Sequence, residues 1–373
     1  MEERIRWMGD RPPERVVVLR ALRGLGDMLC AVPAFRALRA ALPDAIITLL
    51  TLPENKSFIW RFRHYLDDFL EFPGFPGIPE RSFDVRSFPR WLAAAQARSF
   101  DLAVQMHGDG TVTNQFMHLL GAAKTAGSRA RGRRWPEGDL FMDYPLGESE
   151  VRRCLGLVEF LGAAPLGEHL EFPLTAADQM GAHAIAETSG LRRQEYVCVH
   201  PGANEHGRRW QPERFAQVAD ELSGRGFRVV LTGLAEEARV TAAVSRCMRS
   251  PAVDLTGRTG VGELAALLSH SRLVLSNDTG VSHLASALKV PSIVVFLNSD
   301  PTRWAPHDGA RHRAVYDREA PYDGGHTDPQ HLRAPSAGGR PAPRFPGEPV
   351  DVPVASVMAQ IDSLFEEEHV GAA

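Results

Sequence analysis

Residues 16–50 read VVVLRALRGLGDMLCAVPAFRALRAALPDAIITLL. Val16-Val17-Val18-Leu19 is a short, β-branched apolar run, the pattern of a strand buried on both faces. Gly24-Leu25-Gly26-Asp27 ends it. Leu29, Val32, Phe35, Leu38 and Leu42 then recur at helical spacing. Ala45-Ile46-Ile47-Thr48-Leu49-Leu50 is a second strand. Strand, turn, helix and strand in one short stretch make a βαβ unit, and so a parallel sheet.

The rhythm continues outward. Asp101–Gln105 reads as a further strand of the same half. From Tyr196 the pattern restarts and is clearer. Strands are predicted at 196–200, 227–231, 253–255, 273–275 and 292–296. Helices are predicted at 213–223, 236–248, 262–269 and 282–288. Between the halves, the polar stretch from Pro165 to Glu195 reads as an interdomain connection. Residues 309–350 are rich in Gly, Pro, Arg and His and read as an irregular segment. Val354, Val357, Met358, Ile361, Leu364 and Phe365 form one apolar stripe, a C-terminal helix. The predicted organisation is a tail over 1–14, an α/β domain over 15–175, a second over 176–308, the irregular segment, and a helix with its tail over 351–373.

Composition narrows the function. The chain has 373 residues, of which 44% are hydrophobic and 24% charged, an ordinary globular balance. The net charge of -4 argues against a general nucleic-acid binder, whose work is gripping phosphate. Only Lys56, Lys124 and Lys289 are lysines; the rest of the 42 basic residues are arginines. Cys30, Cys154, Cys198 and Cys247 are widely spaced, with no CxxC pair, and read as thiols of a reducing compartment. No apolar run has the length of a membrane span, and the N-terminus lacks the apolar core of a signal peptide. A cytoplasmic protein is expected.

In open parallel sheets, ligands bind beyond the carboxyl ends of the strands. Those ends carry Arg23–Asp27, His200-Pro201-Gly202-Ala203-Asn204, Thr232-Gly233, Thr256-Gly257-Arg258-Thr259 and Ser276-Asn277-Asp278-Thr279-Gly280. Glycines let backbone N–H groups approach a ligand, and helix N-termini favour anions. One such turn serves any βα unit; a succession of them points to a nucleotide or phosphate site. Asp278 or Thr279 can cap the next helix, and the Thr279 and Gly280 amides can face a diphosphate. His283 shares their helix face and can offer a proton or hydrogen bond to a leaving phosphate. By spacing, Asp27 is either a helix cap or a carboxylate base.

Four segments together resemble glycosyltransferase family 9, the ADP-heptose:lipopolysaccharide heptosyltransferase-like proteins. They are Leu22–Leu29 with Pro33–Arg39; His200–Ala203 with Arg208–Phe215; Leu231–Gly233 with Glu237; and Asn277–Gly280 with His283–Ala285 through Asp300-Pro301. The resemblance spans about residues 16–306 and is densest from 197 to 306. It implies a GT-B fold, two Rossmann-like domains facing across a cleft, the first receiving the acceptor and the second the nucleotide-sugar donor. It implies inverting, metal-independent transfer, with no cofactor. The family's Gly-Asp position falls on Gly26 and Asp27, which makes Asp27 the base and counts Gly26 among the donor-binding residues. Arg208 or Arg209 would hold phosphate, and Glu237, with Glu236 as the other candidate, would bind ribose hydroxyls. His200, Gly202, Thr232, Gly233, Thr256 and Gly257 complete the donor set, and Asp278, Thr279, Gly280 and His283 form the diphosphate loop. The acceptor would be a glycan or small-molecule hydroxyl.

The sequence departs from the family at three places. Arg208 stands where Lys is common, Arg23-Gly24 where a Ser is usual, and Leu297-Asn298 where Gly-Pro is usual. Two other readings share the fold: a nucleotide-sugar epimerase, and a non-catalytic nucleotide-sugar-binding protein that needs no carboxylate at Asp27. A nicotinamide dehydrogenase is disfavoured, since Gly24-Leu25-Gly26 lacks the third glycine of GxGxxG. The basic loop Ser128–Trp135 reads either as solvated surface or as a contact with an anionic acceptor or a membrane face. His326, Asp328 and His331 have metal-binding chemistry but sit in an irregular segment, and no metal site is expected.

Overall fold

In the computed structural model, β1 (Arg15–Leu19) pairs in parallel with β2 (Ile46–Thr51) and with β4 (Leu102–Gln105). Adding β3 (Asp68–Glu71), β5 (Lys124–Arg129) and β6 (Leu140–Asp143) gives a six-stranded parallel sheet ordered β3-β2-β1-β4-β5-β6. Residues 11–132, 140–317 and 351–371 are described. The chain divides into two compact units, one up to Glu168 and one from His169.

In the first unit, Val16 to Leu19 are buried, as the apolar run requires of a central strand. The helical pattern after β1 is split in two, into α1 (Leu25–Cys30) and α2 (Val32–Ala41). Pro33 is the physical reason: it has no N–H for the next turn, so the first helix closes at Ala31, whose N–H bonds to Met28 O at 3.1 Å. The remaining helices are α3 (Lys56–Arg61), α4 (Phe88–Gln96), α5 (Thr113–Leu119) and α6 (Glu150–Leu161). Part of the expected basic loop is strand: Ser128 and Arg129 close β5, and Arg129 pairs with Asp143 of β6 at 2.9 Å. Arg133, Arg134 and Trp135 lie outside the described residues.

The second unit repeats the plan. β7 (Tyr196–His200), β8 (Arg228–Leu231), β9 (Ala252–Asp254), β10 (Leu273–Asn277), β11 (Ser292–Val295) and β12 (His312–Val315) form a parallel sheet ordered β12-β11-β10-β7-β8-β9. Its helices are α7 (Ala176–Ser189), α8 (Pro212–Gly224), α9 (Ala238–Cys247), α10 (Val261–His270), α11 (Gly280–Ala287), α12 (Pro301–Trp304) and α13 (Val354–Gly371).

Two expectations are corrected here. The stretch read as a connection contains α7. A capping box starts that helix, with Thr175 Oγ1 accepting from Asp178 N at 3.1 Å and Asp178 Oδ2 from Thr175 N at 2.8 Å. Gly190, at φ +62°, ends it in the left-handed conformation. The helix escaped detection because only Ala182 is buried, leaving no apolar stripe to read. Likewise β12 lies inside the segment read as irregular; residues 318–350, with His326, Asp328 and His331, lie outside the described residues. The predicted C-terminal helix forms α13. Val357, Ile361 and Leu364 are buried in the core of the second unit, and Trp210 Nε1 donates to Val352 O at 2.9 Å just before it.

Candidate active site

In both sheets the first strand in sequence has neighbours that lead away in opposite directions, so a crevice opens at its carboxyl end. In the second unit the crevice lies between β7 and β10. Asn277, the last residue of β10, is fully buried and ties its walls together. Its Nδ2 donates to Pro201 O at 2.9 Å, and its Oδ1 accepts from Trp210 N at 2.9 Å. The loops after β7 and before α8 are therefore fixed to the end of β10.

On the β8 side, His200, Thr232 and Glu237 form one buried cluster. His200 Nδ1 lies 3.0 Å from Thr232 Oγ1, and Nε2 lies 3.7 Å from Glu237 Oε2. Burial holds the imidazole pKa down, and the Glu237 charge only partly opposes it. A neutral ring, with its proton facing the carboxylate and Nδ1 accepting the Thr232 hydroxyl, satisfies both partners. Glu237 also accepts from Leu234 N at 2.8 Å. Gly202 is required beside it: a Cβ there would fall 2.1 Å from Glu237 Oε1. Gly233 abuts the same carboxylate, and Gly257, at φ +68°, packs against Ala235. Gly202, Thr232, Gly233, Glu237 and Gly257 are thus one neighbourhood, with Thr256 preceding the last.

On the β10 side, Asp278 is almost fully buried, and Arg208 reaches it at 3.4 Å (Nη1 to Oδ2). Burial raises the Asp278 carboxyl above its ordinary value, Ser299 and Arg208 act against that, and Glu205 adds to it. Arg208 also meets Glu205 at 3.3 Å. Arg209 turns elsewhere: its Nε donates to Ala203 O at 2.9 Å, and Nη1 lies 3.0 Å from His206 Nδ1. Thr279 is the N-cap of α11 without a side-chain capping bond, so the capping role expected of its hydroxyl is not used. Gly280 opens the helix. His283, one turn in, is buried and lies edge-on to Trp304 with ring centroids 6.1 Å apart.

In the first unit, Asp27 is the third residue of α1 and half-buried. A Cβ on Gly24 would come within 2.3 Å of Asp27 Oδ2, so the carboxylate lies against that glycine. Gly26 is buried beside it. Arg20 fixes the Asp27 backbone: its Nε and Nη2 donate to Asp27 O at 3.0 and 2.7 Å, and Nη1 to Met106 O at 2.7 Å. Glu150, at the start of α6, takes Arg20 Nη2 at 2.9 Å, and both side chains are buried. A second buried pair stands nearby: His107 Nε2 lies 3.3 Å from Glu80 Oε1, and His107 Nδ1 accepts from Ala21 N at 3.2 Å. Sequence reasoning missed Arg20, Glu80, His107 and Glu150. A charge at the end of a buried strand was the one signal for Arg20; the others have long-range partners that spacing does not show.

The described residues include no group of three or more His, Cys, Asp or Glu placed to hold a metal ion. They include no helix long and apolar enough to cross a membrane.

The family model described as glycosyltransferase family 9 (heptosyltransferase) matches residues 91–322, well over half of the chain. The chain belongs to glycosyltransferase family 9. Lipopolysaccharide heptosyltransferase 3 of Escherichia coli K12 is 26% identical over 301 residues, covering 76% of this chain and 83% of the relative. Lipopolysaccharide heptosyltransferase 2 of the same strain is 30% identical over 294 residues, covering 74% and 81%. The solved E. coli ADP-heptose lps heptosyltransferase II superposes with a TM-score of 0.68 at 18% identity, covering 95% of this chain and 99% of that one. The fold is therefore GT-B, and this member of the family is a heptosyltransferase-like glycosyltransferase.

Proposed function

We propose that the protein transfers heptose from ADP-heptose to a hydroxyl of a glycan acceptor of the lipopolysaccharide type, with inversion and without a metal ion or other cofactor. The observation that carries the reading is the β7–β10 crevice of the second unit. There the Thr279-Gly280 entry to α11 stands beside Arg208, opposite the Gly202–Glu237 neighbourhood. An adenosine diphosphate suits this arrangement: ribose hydroxyls toward Glu237, diphosphate toward Arg208 and the Thr279 and Gly280 amides. The E. coli relatives' names, which print lipopolysaccharide and ADP-heptose, support the same substrates.

The chemistry follows from charge. The acceptor oxygen must lose a proton as it attacks the anomeric carbon, and Asp27 takes it. The bond from that carbon to the diphosphate oxygen breaks on the opposite face, and ADP departs with the electron pair. Its growing negative charge is met by fixed N–H groups, by Arg208 and by the His283 side chain. Arg209, held on Ala203 and His206, keeps the loop in shape. We place this reaction on the cytoplasmic side, at the periphery of the membrane that carries the acceptor. Asp27→Asn tests the reading: transfer is abolished while calorimetric ADP affinity stays near wild type. Equal loss of both would make Asp27 a structural cap.

A further inference from the structure

Arg20 follows β1 directly and is buried to 1% exposure. A guanidinium leaves water at high cost unless its charge and its N–H groups are met inside. Stability alone does not call for such a residue, because apolar side chains of similar volume serve a core as well or better. The carbonyl that Arg20 takes shows what it does. In an unbroken helix, Asp27 O would accept from the amide four residues on, Ala31 N. The break before Pro33 sends Ala31 N to Met28 O instead, at 3.1 Å. Arg20 fills the place with both prongs of its fork, Nε at 3.0 Å and Nη2 at 2.7 Å from the one oxygen. At the other end of the turn the N-cap, Gly24, supplies no side-chain bond, and α1 has only six residues. A helix that short does not hold itself. The main chain of Asp27 is therefore held by a side chain rooted in the sheet, where Arg20 N donates to Leu50 O at 3.0 Å.

Glu150 sets the direction of the fork. Ser149 caps α6, its Oγ accepting from Arg152 N at 3.1 Å, which places Glu150 in the first helical turn. Glu150 Oε1 takes Arg20 Nη2 at 2.9 Å, while Oε2 lies 3.7 Å from Arg153 Nη1. Arg153 is itself held, donating from Nη1 to the Tyr144 hydroxyl at 2.7 Å. A carboxylate steadied from behind thus fixes a guanidinium that fixes Asp27. We propose that Arg20, locked by Glu150, is the positioning residue of the reaction: its fork holds the main chain of Asp27 so that the carboxylate meets the acceptor hydroxyl at one defined place. This role rests on the reading of Asp27 as the base.

The test compares kinetics of folded variants, with ADP-heptose as donor and heptose-free lipopolysaccharide as acceptor. Arg20→Lys keeps the charge and loses the fork. It is expected to lower kcat roughly 10- to 100-fold, the scale of a displacement approaching 1 Å, with the KM for ADP-heptose and the ADP affinity unchanged. Glu150→Gln keeps the shape and removes the charge; it should show the same split with a smaller loss, and it carries the test if Arg20→Lys does not fold. Gly24→Ala displaces the same carboxylate, so combining it with Arg20→Lys should cost less than the product of the two single losses. Wild-type kcat in the folded variant overturns the proposal, as does a loss confined to melting temperature, or single losses that multiply in full. An inactive Asp27→Asn beside a fully active Arg20→Lys sinks the positioning role alone. Wild-type turnover by Asp27→Asn sinks the reading of Asp27 as the base, and this role with it.

Discussion

Gly24→Ala separates the position of Asp27 from everything else the residue does. Gly24 has φ -74° and ψ 134°, an extended conformation that alanine adopts freely. The substitution removes unfolded-state entropy and should leave the fold as stable as before, or more stable by up to about 1 kcal/mol. The new methyl would lie 2.3 Å from Asp27 Oδ2, whereas ordinary contact begins near 3.4 Å. The carboxylate must therefore move by about 1 Å. A displacement of that size in a reacting group costs on the order of 10²-fold in rate, or about 2.7 kcal/mol. The assay is ADP release from ADP-heptose in the presence of acceptor, alongside a thermal melt and ADP titration. The expected result is a kcat/KM down about a hundredfold, with ADP affinity unchanged and a melting temperature no lower than that of the wild type. Wild-type kcat/KM would refute the reasoning, because a base that tolerates such a shift is not acting as one.

Arg208→Ala should weaken ADP binding by about 1.5–3 kcal/mol, the scale of a charged hydrogen bond, and Arg209→Ala should leave it nearly unchanged; calorimetry on both variants distinguishes them. His312, buried on β12 and 2.9 Å from Ser292 Oγ, has its pKa pulled down to about 4 by burial. Between pH 6.5 and 4 the unfolded chain binds a proton there that the folded chain refuses, so stability falls as pH drops through that window and flattens below it. The loss is on the order of 3 kcal/mol, and denaturant titrations of wild type against His312→Asn should show that slope reduced.

Much of this architecture is legible in residue order. The Val16–Leu19 run, the turn at Gly24–Asp27 and the strand at 46–50 carry local periodicity, and the structure places a βαβ unit there. The strand ends at His200, Thr232 and Asn277 are legible in the same way, because a βα turn keeps the residues at a strand's carboxyl end adjacent in sequence. What sequence hides is contact at a distance. Arg20 and Glu150 are 130 positions apart yet meet in the interior, and neither has a local pattern that names the other. α7 was hidden by its exposure, and the α1–α2 break by a run of apolar spacing that reads straight through Pro33. Arg208 and Arg209 are equivalent by motif; their roles divide only once Asp278, Ala203 and His206 are seen around them.

In the proposed reaction the second unit holds an adenosine diphosphate sugar. Calorimetric titration of the purified protein with ADP, UDP, GDP, dTDP and ADP-heptose, without added metal, tests it directly. ADP is expected to bind, ADP-heptose at least as tightly, and the other nucleotides more weakly. Tighter binding of UDP or dTDP, or no binding at all, would contradict it.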